Sequence, residues 1–146
     1  MILCCDPGSL NTGWALMSPN GKVKYASHDK RPNSVEPLKA IDHYTTSLKN
    51  KISASRHVTD FIIEMYYPFG GGRANAHSQI LLVGALIGVA SKMGCRVVSL
   101  DPKEWKDWAK KNDKYHVDES LTQHEIDAIT MGKYYLECCE VPKVGD

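Results

Sequence analysis

The chain has no Cys-x-x-Cys pair, no internal repeat and no low-complexity stretch. Its longest near-apolar run, residues 80–90 (ILLVGALIGVA), falls well short of the ~20 residues a membrane helix needs. It reads instead as a buried helix, and no membrane partner is expected. No targeting segment is expected either, because Asp6, Pro7 and Gly8 interrupt the apolar start before a hydrophobic region can build up. The five cysteines, Cys4, Cys5, Cys95, Cys138 and Cys139, are an odd number without metal-ligand spacing, which argues against a disulfide framework and a zinc site. They read as reduced thiols of a cytoplasmic protein, packed as small hydrophobes. At 146 residues, 42% hydrophobic and 24% charged, the chain is expected to form one domain spanning 1–146.

Acidic residues are missing altogether between Glu64 and Asp101, where Arg73, Lys92 and Arg96 are the charged residues. A net charge of +1 suggests no polyanion partner by itself, but the first hundred residues are net basic and the remainder net acidic. Such a bipolar chain can bind nucleic acid through one face.

Apolar runs broken by turn chemistry place strands at about 1–6, 12–17 and 22–27, with Ser18-Pro19-Asn20-Gly21 as a hairpin signal. Residues 28–35 read as a loop. A helix is expected over 36–57, a fourth strand over 59–65, a Gly-rich loop from 66, a buried helix over 76–93 and a fifth strand over 96–100. Asp101 and Pro102 look like the N-cap and first residue of a helix over 103–111, and Thr122 with Glu125 has capping-box spacing at the start of a helix over 123–138. A meander followed by crossover units predicts an α/β fold, with a five-stranded mixed sheet flanked by helices on both faces. Gly84 and Gly88 share a helix face and are read as letting that helix pack closely on the sheet, with a dimer contact as the alternative.

If strands one and four are parallel neighbours, Asp6 and Glu64 end at the same sheet edge, where open α/β sheets bind ligands. Two close carboxylates call for a cation, and a hard divalent metal suits oxygen ligands. His124 and Asp127 lie three apart and so share a face of the last helix, with the small Ala128 beside them. Glu125 points elsewhere, and reads as the cap first and as a metal ligand second.

These residues carry a resemblance. "ILCCDPGSLNTGWAL" resembles the first motif of the RuvC-type crossover-junction endodeoxyribonucleases, "FIIEMYY" the second and "HEIDAIT" the third, in the family's order. The resemblance implies an RNase H-like fold, and it implies a metal-dependent nuclease that resolves four-way (Holliday) junctions by paired nicks as a homodimer. It makes Asp6, Glu64 and Asp127 catalytic carboxylates, and His124 a fourth ligand where many members have Asp. They would hold two Mg²⁺ ions, with Mn²⁺ as a substitute. Tyr67 falls where an aromatic is thought to stack on junction bases, and Lys106 where a lysine contacts the phosphate backbone. The stretch between Lys111 and Gln123 is shorter than in the family, leaving Lys110, Lys111 and Lys114, together with Arg73, as further DNA-binding candidates. Other branched DNA, structured RNA, a non-catalytic DNA-binding module and a nucleotide-binding domain remain the alternatives.

Overall fold

In the computed structural model, which describes residues 1–8, 10–31, 36, 39–55, 57–65 and 73–139 (73–75 by backbone only), five strands form one mixed sheet. The strands are β1 (Ile2–Asp6), β2 (Asn11–Met17), β3 (Val23–Lys30), β4 (Asp60–Glu64) and β5 (Arg96–Leu100), in spatial order β3-β2-β1-β4-β5. The first three form an antiparallel meander, whereas β4 pairs parallel with both β1 and β5. The helices are α1 (Lys39–Ala54), α2 (Arg73–Lys92), α3 (Pro102–Lys111) and α4 (Gln123–Cys138). This is the expected mixed sheet with helices on both faces.

The period-two alternation of β1 divides the interior into two cores. Leu3 and Cys5 pack with Trp14, Phe61 and Ile63 under α1 and α2, while Ile2 and Cys4 pack with Met17, Ile62, Trp105 and Ile129 under α3 and α4. Burial pushes the thiols of Cys4 and Cys5 well up, so both stay protonated and act as apolar filling.

Three expectations need correction. Strand β3 runs on to Lys30 where a loop was expected from His28, because Asp29 is used by the sheet: its carboxylate accepts a 2.8 Å bond from the Trp14 indole and another from Ser47. Helix α1 stops at Ala54, short of residue 57, and His57 takes a left-handed φ of 70° that no helix continues through. Helix α2 is not buried all round. Leu82, Val83, Leu86 and Ala90 face the core, but Ile80 and Leu81 are 46% and 52% exposed, and a Cβ on Gly84 or Gly88 would meet no atom within 4 Å. These glycines therefore do not serve packing on the sheet.

Helix α4 is held at both ends. Its N-terminus has the reciprocal cap: the Thr122 hydroxyl accepts from the Glu125 amide, and the Glu125 carboxylate accepts from the Thr122 backbone at 2.8 Å. Near its other end the Tyr135 hydroxyl accepts a 2.6 Å bond from Arg96, which also pairs with Asp60 at 2.5 Å. Between these anchors the helix approaches the sheet at two glycines. A Cβ on Gly13 would lie 2.1 Å from the His124 carbonyl oxygen, and one on Gly132 would lie 2.4 Å from the Met17 sulfur. The first obstacle is backbone and cannot rotate away. Gly13→Ala is therefore expected to destabilise the fold by about 3 kcal/mol, read as a lower urea midpoint at unchanged slope; an unchanged midpoint contradicts the close approach.

Candidate active site at the sheet edge

The parallel register of β1 and β4 sets Cys5 beside Ile63, so one further step along each strand brings Asp6 beside Glu64. Because Cys4 and Ile62 point toward α4, the alternation turns Asp6 and Glu64 toward α4 as well. Pro7 and Gly8 then end the strand, and the Thr12 hydroxyl donates to the Gly8 carbonyl at 3.1 Å, closing the turn back into β2. From above, the first turns of α4 supply His124 and Asp127. The His124 Nδ1 lies 2.8 Å from the Asp6 Oδ2, across 118 residues of sequence.

The third side is closed by α3. The Trp105 indole N–H donates to Glu64 Oε2 at 2.9 Å, and the Lys106 ammonium stands 3.6 Å from the same oxygen and 5.0 Å from the Trp105 ring centre. The Gln123 amide donates to Asp127 Oδ1 at 2.6 Å.

These groups shift one another's protonation. Burial and then the Asp6 charge push Glu64 up to about 7, with Asp127 adding to the rise and Lys106 and Trp105 opposing it. Burial and then Asp6 hold Asp127 above the ordinary aspartate range, against the Gln123 hydrogen bond and the charges of Lys106 and His124. The hydrogen bond to Asp6 raises His124 above the ordinary histidine value. The three acids thus act as one crowded set in a half-buried edge.

A cluster that binds protons this tightly suits a hard divalent cation for the same reason, since repulsion between carboxylates is relieved by positive charge. Among the described residues, no group of three or more His, Cys, Asp or Glu side chains is arranged to hold a metal ion. One oxygen of each acid is instead engaged by protein: Asp6 by His124, Glu64 by Trp105 and Lys106, and Asp127 by Gln123.

Asp6, Glu64, His124, Asp127 and Lys106 are therefore brought together. Glu125 is not: besides its cap it lies 3.4 Å from His28. Burial would raise Glu125, but the bonds from Thr122 and the contact with His28 hold it below the ordinary range. Lys110 and Lys111 lie exposed on the last turn of α3, and Lys114 is ion-paired with Glu137. Tyr67 lies outside the described residues, as does the Arg73 side chain. Trp105 was missed from sequence, although a buried tryptophan must donate its N–H somewhere, and the sheet edge was the open acceptor. Gln123 and Gln79, whose amide donates to the Pro7 carbonyl at 2.6 Å, had no sequence signal.

The sign of the pH dependence follows. Glu64, Asp127 and His124 all bind protons more tightly folded than unfolded, so between the ordinary carboxyl range and about pH 7 the folded state holds more protons and stability falls as pH rises. The metal-free melting temperature is expected to fall across that window, less steeply in Glu64→Gln, and Mg²⁺ is expected to restore it above pH 7. A wild-type profile parallel to that of Glu64→Gln contradicts the coupling.

No protein-family model matches the chain, and no curated protein matches it in sequence. Solved structures do match. Thermus thermophilus RuvC in complex with a Holliday junction substrate superposes with a TM-score of 0.76 at 14% identity, covering 92% of this chain and 93% of that one. A second structure of Thermus thermophilus RuvC gives 0.71 at 13% identity over 92% and 93%. The fowlpox virus resolvase, in complex with Holliday junction DNA, gives 0.53 at 14% over 94% of this chain and 99% of that one. At such identities the likeness is one of fold: the chain has the RNase H-like fold of RuvC, here with its sheet in the order β3-β2-β1-β4-β5.

Proposed function

We propose that this protein is a metal-dependent endonuclease that resolves four-way DNA junctions by paired nicks as a homodimer. The observation that carries the reading is the convergence of Asp6 and Glu64, from adjacent parallel strands, with Asp127 and His124 of α4, His124 lying 118 residues beyond Asp6, at one sheet edge. A pure DNA binder gains nothing from acids placed against phosphates.

Asp6, Glu64 and Asp127, with His124, would hold two divalent ions, Mg²⁺ or Mn²⁺, which would supply a water of lowered pKa and positive charge for the leaving oxygen. The chain's own groups prepare that state. His124 keeps a proton between its Nδ1 and the Asp6 carboxylate, so Asp6 is oriented before it takes a ligand. Trp105 fixes the rotamer of Glu64 from a fully buried position. Lys106 places a positive charge at the rim, where it can turn from Glu64 to a phosphate oxygen of the substrate.

Two strands of a junction need two sites, and a two-fold pair supplies them. The bare outer face of α2 supports such pairing: Ile80 and Leu81 are exposed, Gly84 and Gly88 allow close approach, and no charged residue stands between Arg73 and Lys92.

One assay tests the reading. Wild type with Mg²⁺ is expected to nick a labelled four-way junction symmetrically on two strands, and faster than a flap or plain duplex. Asp6→Asn and Glu64→Gln are expected to lose on the order of 10³-fold in rate. Leu81→Glu is expected to sediment as a monomer and to lose the pairing of the nicks. Wild-type rates from Asp6→Asn sink the active-site assignment, and equal cutting of plain duplex sinks the junction specificity.

A further inference from the structure

Arg31 follows directly on β3, whose last residue, Lys30, lies opposite Asn11 at the start of β2. It therefore stands at the same end of the sheet as Asp6, two strands across and, because Asp6 lies opposite Gly13 and Gly13 opposite His28, three residues further along, or roughly 14 Å away at the usual strand spacing and rise. Its backbone N–H donates to the Leu10 carbonyl at 2.8 Å, which ties it to the segment that follows the Asp6 turn. The guanidinium is the anomaly. Among the described residues its Nε and Nη1 are buried without a hydrogen-bond partner and it forms no ion pair, although the residue as a whole is only half-buried. Its charge reaches the Tyr44 hydroxyl, as does that of Asp29, but the Asp29 carboxylate is already taken up by Trp14, Ser47 and Lys51. Elsewhere the well-placed cations have acids: Arg96 has Asp60, Lys51 has Asp29 and Lys106 has Glu64.

A guanidinium taken out of water without an acceptor weakens the free protein, and a folded chain retains such a group where a ligand completes it. The planar fork of donors fits phosphate oxygens. We propose that Arg31 is a phosphate-binding residue, which takes a backbone phosphate of the DNA strand lying over the Asp6 turn. It would grip the strand on the β3 side of the acids while Lys106 does so on the β4 side. The proposal rests on the DNA-binding part of the function above and not on cleavage.

The test is the salt dependence of binding, by fluorescence anisotropy without metal, to a four-way junction and a plain duplex. Arg31→Met is expected to bind both more weakly, to reduce the slope of log K against log salt by about 0.9, and to melt no lower than wild type, since it removes an unpaired buried charge. Arg31→Lys, which keeps the charge but not the fork, is expected to recover the slope and only part of the affinity. An Arg31→Met slope equal to that of wild type overturns the proposal. So does a fall in melting temperature for Arg31→Met with a slope that Arg31→Lys fails to recover, which marks a structural arginine. A wild type that binds but does not cut overturns the nuclease reading alone, and one that binds neither DNA overturns both.

Discussion

Helix α4 meets the sheet with no side chain between them at Gly13, and the position of His124 and Asp127 over the acids of the sheet edge depends on that contact. The close approach sets the His124 backbone against β2, and from there the His124 ring reaches Asp6 on the neighbouring strand. Asp127, three residues on, then falls over the same edge. The cap at Thr122 and Glu125 sets where the helix begins, and the Tyr135, Arg96 and Asp60 cluster holds its far end. A helix standing off by one methyl group would separate the two halves of the acid set.

Bringing those halves together stores electrostatic cost. Glu64 is crowded by Asp6 and Asp127 in a half-buried setting, and the protein offsets part of the repulsion with Lys106 and the Trp105 indole. What remains is relieved by a proton at low pH, and would be relieved near neutrality by the divalent cation proposed above. The same physical property therefore underlies both the pH dependence of the fold and the proposed catalytic centre. Arg31 is a similar case with the opposite sign: a guanidinium with two nitrogens unpartnered among the described residues, at the end of the sheet where the proposed substrate would lie.

Much of this was legible in the sequence. Five apolar runs, the Pro-Asn-Gly hairpin and the two helix caps define the sheet and its crossovers, and period-two alternation from Ile2 turns Asp6 to the α4 side. The meeting of Asp6 with Glu64 follows from parallel pairing, and that of His124 with Asp127 from helical spacing. The remainder depends on tertiary partners that no local pattern encodes. The strand character of His28 to Lys30 comes from Asp29 bonding to Trp14 and Ser47, and the Trp105 bond to Glu64 joins residues 41 apart. The outer face of α2 was misread because an apolar helix looks the same in sequence whether a neighbour covers it or leaves it bare.

The central claim is that Asp6, Glu64 and Asp127 form one electrostatic unit, which we propose takes up a divalent cation. Its most direct test is the titration of the Glu64 side-chain carboxyl by ¹³C NMR, with and without Mg²⁺. The account predicts a midpoint near 7 in the metal-free protein that drops toward or below the ordinary 4.5 when Mg²⁺ is added. A midpoint near 4.5 without metal, or one that Mg²⁺ leaves near 7, would contradict it.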